Sequence, residues 1–198
     1  MTDTPPSAAT LRTPRLLLRP WRHEDRAPFA ALNADAEVMR HFPETLTREQ
    51  SDAMADRIQA LIDEQGWGFW AAEHRASGAF MGFIGLHAPT APLPFQPCVE
   101  IGWRLARPFW GQGLASEGAR AALGHGFGVL GLESIVSFTA LQNLRSQAVM
   151  QRLGMLRDVH DFDHPALPEG HPLRRHCLYR MTHAQWLQRQ AMDKHEQA

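Results

Sequence analysis

Two glycines, Gly111 and Gly113, stand where a chain could hold a phosphate. They lie in the run Trp110-Gly111-Gln112-Gly113-Leu114-Ala115-Ser116, between an alternating segment and a helical one. The backbone there carries no side chains just where the first free N–H groups of a helix point outward. Bare N–H groups and the helix dipole both favour an anion. The turn is not a Walker loop, because no Gly-Lys-Ser/Thr follows it. It also lacks the third glycine spacing and the acidic residue of a dinucleotide-binding turn. A second set of reactive side chains is His160, His164, His171 and His176 with Asp161 and Asp163. No pair among them has the spacing of a zinc motif, so no metal is expected. Cys98 and Cys177 lie far apart, each inside an apparent strand. They form no CxxC or secreted framework and read as buried thiols of a cytoplasmic protein.

The elements that position these residues follow from periodicity. Val99, Ile101, Trp103 and Leu105 alternate with Glu100, Gly102 and Arg104, the period of a strand, and Pro108 requires that strand to end. From Leu114 the pattern becomes one face of a helix reaching about Val129, with Gly131 as its stop. Upstream, Leu16, Leu18 and Trp21 suggest a first strand, followed by a helix over about Asp25–Asn33. Thr47-Arg48-Glu49-Gln50 has the form of a capping box, and Met54, Ile58, Leu61 and Ile62 then make a helical stripe ended by Gly66. Trp67–His74 and Ala79–His87 have hairpin spacing, and Trp67, Phe69 and Trp70 read as core. Pro89, Pro92, Pro94 and Pro97 mark a rigid loop. Further strands are expected at Glu133–Ala140, Met155–Asp161 and Arg175–Thr182, with a helix over Asn143–Leu153 and a last one through Trp186.

The bounds agree with an ordinary soluble globular protein. The 198 residues are 44% hydrophobic and 21% charged, which suits one domain with a real core. The formal charge of −1 provides no basic field for nucleic acid, and no apolar run approaches the roughly 20 residues needed to span a bilayer. The start is polar, with Pro5-Pro6, and reads as a flexible leader over residues 1–13 rather than a signal peptide. The domain is expected over 14–187, with a charged tail over 188–198.

Trp110-Gly-Gln-Gly-Leu-Ala115 resembles the pyrophosphate loop of the GNAT superfamily of N-acetyltransferases, whose pattern is Arg/Gln-x-x-Gly-x-Gly/Ala. Gly113 and Ala115 match its fixed positions, and Trp110 replaces the Arg or Gln. Glu-Ile-Gly-Trp followed by Phe-Trp-Gly-Gln-Gly-Leu-Ala is similar to the RimJ/RimL branch of ribosomal-protein N-terminal acetyltransferases. About thirty residues on, Asn143-Leu-Arg-Ser146 and Leu153-Gly154-Met155 resemble the family's Asn-x-x-Ser, helix and Leu-Gly-Phe/Met ending. The element order matches over about Pro14–Trp186. The resemblance implies an α/β (α+β) GNAT fold, a mixed, mostly antiparallel sheet of about seven strands with helices on both faces. Its central strands splay to admit the pantetheine arm of acyl-CoA.

The resemblance also implies an acetyltransferase with acetyl-CoA as co-substrate, no metal, and a primary amine as acceptor. Ile101, Gly102, Trp103, Arg104 and Leu105 would offer main chain to pantetheine or the thioester oxygen. Trp110, Gly111, Gln112, Gly113, Leu114, Ala115 and Ser116 would hold the pyrophosphate. Glu100 is the leading general base, the alternative being a structural carboxylate paired with Arg104 or a neighbouring arginine. His87 is the second candidate base, its alternative an ordinary polar strand end. Asn143 and Ser146 are expected near the CoA sulfur, with Ser146 as acid or as a first-turn cap. Met150 occupies the place of the family's acid tyrosine, and the chain's only tyrosine is Tyr179. His164 lies in the loop before the last strand, which in the family covers the acceptor site, so His87, Glu100 and His164 are the acceptor-binding candidates.

Basicity points toward the acceptor. At pH 7 a lysine-like amine is neutral roughly once in 2,500, an α-amine about once in ten. One base and no tyrosine acid suit an α-amine, such as a protein N-terminal Ala or Ser. The alternatives are a small-molecule amine (an antibiotic, polyamine or amino acid), an acyl-enzyme on Cys98 or Cys177, and a silent acyl-CoA sensor. No nucleic-acid or membrane partner is expected, and a homodimer is compatible with the sequence.

Overall fold

The computed structural model describes residues 8–195. Residues 1–7 of the expected leader and 196–198 of the expected tail lie outside the described residues. The chain divides into two compact units. One comprises the described residues up to His87 together with Gly102–Ala122; the other comprises Ala88–Ile101 and the described residues from Leu123 on.

The first unit contains β1 (Leu11–Arg12), β2 (Leu16–Arg19), α1 (Arg26–Ala34), α2 (Arg48–Gln65), β3 (Phe69–His74) and β4 (Ala79–His87). It also holds most of β5 (Glu100–Leu105) and the opening of α3 (Leu114–Gly128). Its strands run in the order β1-β2-β3-β4-β5, with β1–β2, β2–β3 and β3–β4 antiparallel. Leu11 and Arg12, inside the expected leader, are thus a strand, registered on Leu18 and Leu17. Alternation is realised in β2, where Leu16 and Leu18 are wholly buried. The expected capping box forms: Thr47 Oγ1 accepts from Gln50 N at 3.2 Å and Gln50 Oε1 from Thr47 N at 2.7 Å. The buried face of α2 runs through Ser51, Ala55, Ile58 and Ile62, not through Leu61, which is 36% exposed. Met54, Ile58 and Ile62 of the predicted stripe do face the core, and Ser51 on that face meets the buried Asn33 of α1. Gly82 of β4 has φ +134°, and a Cβ there would collide with the Arg104 carbonyl oxygen. Only glycine lets β4 lie that close to β5.

The second unit contains the first residues of β5, the end of α3, β6 (Ser134–Ala140), α4 (Leu144–Leu153), β7 (Leu156–Arg157), β8 (Phe162–Asp163), β9 (Arg175–Thr182) and α5 (His183–His195). β5 pairs with β6 in parallel at the single register Glu100↔Val136. β6, β7 and β8 each pair antiparallel with β9. Its core includes Leu93, Val136, Phe162 and Leu178, with Phe95, Cys98 and Phe138 packed against them.

The described residues form nine strands where about seven are predicted, the surplus being the two-residue pairs β1 and β8. The predicted strand over Met155–Asp161 shrinks to β7. Asp158 still bonds Leu178 O at 2.8 Å, but Val159 turns out to solvent at 88% exposure and ends the ladder. The last helix runs nine residues past the expected Trp186, to His195. Among the described residues no helix is long and apolar enough to cross a membrane.

Candidate active site

In the first unit the glycine turn links a short helical turn at Arg107–Phe109 to α3. Gly111 and Gly113 take φ of +73° and +76°, backbone that side chains with a Cβ rarely adopt. The N–H groups of Leu114, Ala115 and Ser116 open the helix and have no carbonyl one turn earlier within it. Glu117 N is the first to bond back, to Gly113 O at 3.0 Å. Ser116 is 4% exposed and its Oγ is buried without a partner. Two side chains brace the turn from within. Trp110 Nε1 donates to Leu105 O at 2.7 Å, so the residue that replaces the expected Arg or Gln fastens the turn to the end of β5. Gln112 Nε2 donates to Pro108 O at 2.7 Å.

No sequence motif marks Arg15, yet it holds this turn. Its Nε meets Glu117 Oε2 at 2.6 Å and its Nη1 donates to Gln112 O at 2.9 Å. Glu117 Oε1 also accepts from Arg15 N at 2.8 Å and Thr13 Oγ1 at 2.6 Å, and its carboxyl is held below the ordinary value by these bonds despite some burial. Arg15 Nη2 lies 3.7 Å from the point a Gly113 Cβ would occupy. A carboxylate at a helix start beside a phosphate site would repel the ligand; ion-pairing to Arg15 cancels that charge and leaves a guanidinium edge at the turn. Nearly a hundred residues separate Arg15 from the turn, so no local motif betrays the link.

Arg104 is the other informative side chain of this unit. It is 8% exposed. Nη1 donates to Asn33 Oδ1 at 2.7 Å, and Asn33 Nδ2 donates to Ser51 Oγ at 2.9 Å. Its Cζ lies 4.0 Å from the Phe42 ring centroid. Burial lowers the guanidinium to about 10, so it stays cationic at neutral pH. Of the other candidates here, Leu105 and Leu114 are buried, Gly102 and Trp103 are partly buried, and Gly111, Gln112 and Gly113 are exposed. His87 is partly buried with its ring 5.2 Å from that of Phe69, and burial pushes its imidazole down.

In the second unit Glu100 stands at the one registered meeting of β5 with β6, followed by the wholly buried Ile101. The residue is only partly buried. Desolvation pushes its carboxyl up to about 8, with no cation or hydrogen bond to offset the effect. Farther along β6, Thr139 Oγ1 accepts from Asn143 Nδ2 at 2.9 Å. Asn143 caps α4, accepting from Ser146 N at 3.2 Å while its Nδ2 donates to Ser146 Oγ at 3.0 Å. Asn143 is thus the cap, and Ser146 lies in the first turn of α4. Asn143 also fills an acceptor position on Ser146 Oγ and leaves the hydroxyl proton to be given elsewhere. Met150 is 1% exposed, and Tyr179 is buried with its hydroxyl 3.3 Å from Gln151 Nε2.

His164 and His176 lie ring to ring at 5.0 Å, packed near Phe138 and Phe162. Burial pushes both imidazoles down. Among the described residues no group of three His, Cys, Asp or Glu side chains is gathered as a metal set. Cys177 is buried and Cys98 only partly so; burial pushes both thiols up, and Glu100 adds to the effect at Cys98.

Residues 15–156 match the family model described as an acetyltransferase (GNAT) domain. The chain is 32% identical over 193 residues to the FsC-acetyl coenzyme A-N(2)-transacetylase of Aspergillus fumigatus, covering 91% of this chain and 79% of that one. It also resembles the crystal structure of an acetyltransferase from Agrobacterium tumefaciens, at TM-score 0.71 and 28% identity over 88% of this chain and 95% of the other. The spermidine N-acetyltransferase of Vibrio cholerae, solved with CoA and spermine, shares the fold at TM-score 0.69 and 18% identity, over 88% and 99% of the two chains. The architecture is the GNAT fold, and the chain belongs to the GNAT acetyltransferase family, as an acyltransferase enzyme.

Proposed function

We propose that this enzyme transfers the acetyl group of acetyl-CoA to a primary α-amine by direct attack, with Glu100 as general base. The observation that carries the reading is the Glu100 carboxyl, desolvated to about 8 with no charge partner. A base of that strength is matched to the proton of a peptide α-ammonium near 8 and is somewhat weaker than the amine of a free amino acid, so transfer is close to thermoneutral for the first and mildly uphill for the second. Relatives named as N-acetyltransferases, among them one whose name directs the acetyl group to an N(2) nitrogen, support the reaction class.

The donor set fits the cofactor end of that reaction. The N–H groups opening α3, the orphaned Ser116 hydroxyl and the Arg15 guanidinium suit a pyrophosphate. Main chain of Ile101–Leu105 is proposed for the pantetheine arm and thioester oxygen, where oriented donors are worth on the order of 3 kcal/mol each. Glu100 takes the amine proton, the nitrogen attacks the thioester carbon, and the sulfur leaves toward the Ser146 hydroxyl that Asn143 orients. The thiol has a pKa near 8.5, so it needs little help. His87 and His164 are the further acceptor-binding candidates, kept neutral by burial and so free of repulsion toward an ammonium. Neither cysteine is primed as an acyl carrier, because both thiols are pushed up. Two free thiols fit a cytoplasmic location.

The α-amine is proposed to belong either to a protein N-terminus, in the manner of the RimJ/RimL branch, or to a small molecule. Thiol release from acetyl-CoA is measured against Ala- and Ser-initiated peptides, amino acids, polyamines and an aminoglycoside. Turnover of an α-amine, reduced in Glu100→Gln and abolished in Gly113→Glu, is the expected result. Tight acetyl-CoA binding with silence across the panel would make the protein a sensor, and failure to bind acetyl-CoA would sink the reading.

A further inference from the structure

Arg104 presents an arrangement that the reaction as described does not use. A guanidinium carries five N–H donors and is found inside proteins when a carboxylate or phosphate satisfies them. Arg104 has no such partner among the described residues. Nη1 alone is bonded, to the neutral Asn33 Oδ1 at 2.7 Å, with Met54 Sδ 3.9 Å away. Nε is buried, and neither it nor Nη2 bonds any of the described residues. Nε and Nη2 form the side-on fork of the guanidinium, the edge that takes a carboxylate through two parallel bonds.

The surroundings hold this fork in place. Asn33 is wholly buried and is itself fixed by Ser51 of α2. Phe42 covers the guanidinium at 4.0 Å and Phe83 lies 5.4 Å from it. Phe42, in the connection between α1 and α2, is partly open to solvent at 37% exposure. The cation is thus oriented from the α1–α2 side by neutral groups, while its bidentate edge is left unmatched. An unmatched buried charge is costly unless something else satisfies it.

We infer that the Nε/Nη2 edge of Arg104 binds a carboxylate carried by the acceptor, so that the substrate is a small molecule holding an amine and a carboxylate together. The inference rests on the acetyltransfer reading and narrows it. It selects against polyamines and aminoglycosides, whose cationic groups Arg104 repels. It also selects against a peptide N-terminus, which has no carboxylate beside its amine unless a side chain supplies one.

The test compares each of the twenty amino acids with its own carboxamide. Thiol release from acetyl-CoA is measured for the wild type, Arg104→Lys and Arg104→Met. An amino amide has the less basic amine and is more often neutral, so basicity alone favours the amide. The wild type is expected to prefer at least one acid over its amide by about tenfold or more in kcat/KM. That ratio falls to near one in Arg104→Met and is partly kept in Arg104→Lys, which retains charge without the fork. Equal use of acid and amide by the wild type, or an unchanged ratio in Arg104→Met, would overturn it.

A second measurement keeps this outcome separate from failure of the acetyltransfer reading. Melting temperatures are recorded without acetyl-CoA, in the presence of N-acetyl amino acids or N-acetyl amino amides. If no amine is acetylated, stabilisation of the wild type by an acid but not its amide, lost in Arg104→Met, still supports the carboxylate site. No difference between acid and amide removes it. Should Arg104→Met not fold, a reduced difference in Arg104→Lys supports the carboxylate site and an unchanged one overturns it.

Discussion

Asn143 Nδ2 donates to Ser146 Oγ at 3.0 Å while Asn143 Oδ1 accepts from Ser146 N at 3.2 Å. One amide therefore starts α4 and also sets the direction of the Ser146 hydroxyl. Asn143→Ala removes the cap and is expected to cost about 1 kcal/mol of stability. Ser146→Ala leaves the cap in place and should lower kcat by about tenfold or less, since a thiolate is a good leaving group. Chemical denaturation beside steady-state kinetics separates the two effects. A Ser146→Ala enzyme with full kcat would leave Ser146 as part of the cap alone.

Glu100 predicts two pH dependences with opposite directions. As a base it must be ionised, so kcat/KM for the acceptor should climb to a plateau above about pH 8. For stability, the carboxyl titrates near its ordinary 4.5 when unfolded and near 8 when folded. Between these values the folded state keeps a proton that the unfolded chain has lost, so stability falls as pH rises from about 4.5 to 8, by a few kcal/mol in all. Glu100→Gln carries no such charge. It should lose activity by about a hundredfold or more, yet unfold at a higher denaturant concentration than the wild type at pH 8.5. A variant less stable than the wild type at that pH would mean that the carboxyl is not desolvated.

Arg15 is expected to act through the donor substrate. Arg15→Gln removes the cation from the glycine turn and leaves Glu117 unneutralised, so KM for acetyl-CoA should rise about tenfold with little change in kcat. With acetyl-pantetheine, which has no pyrophosphate, the variant and the wild type should differ by less than about twofold. An equal loss with both donors would make Arg15 a structural residue only.

Gly82 tests the close approach of β4 to β5. Its positive φ and the Arg104 carbonyl oxygen beside it leave no room for a methyl group. Gly82→Ala is expected to destabilise the protein by about 3 kcal/mol or more, seen as a fall in melting temperature. Gly111→Ala, where nothing lies within 4 Å, should cost only about 1 kcal/mol, from its left-handed backbone alone.

Local periodicity and turn chemistry by themselves determined the strand carrying Glu100, the glycine turn, the Asn143–Ser146 start of α4 and the capping box at Thr47. Each depends on residues a few positions apart, whose spacing is visible along the chain. The pairing of Arg15 with Glu117, the Ser51–Asn33–Arg104 chain and the desolvation of Glu100 were decided only by tertiary structure. They join residues tens to a hundred positions apart, and no short-range pattern encodes which helix face turns inward. Leu61 lies at the edge of the stripe, and only the packing of α2 decides that it stays 36% exposed while Ile58 and Ile62 are buried. Charge balance behaved likewise. Glu100 and Arg104 share one strand face in the alternation and look like partners, but Arg104 is engaged by Asn33 and Glu100 is left desolvated, which is what separates a base from a structural ion pair.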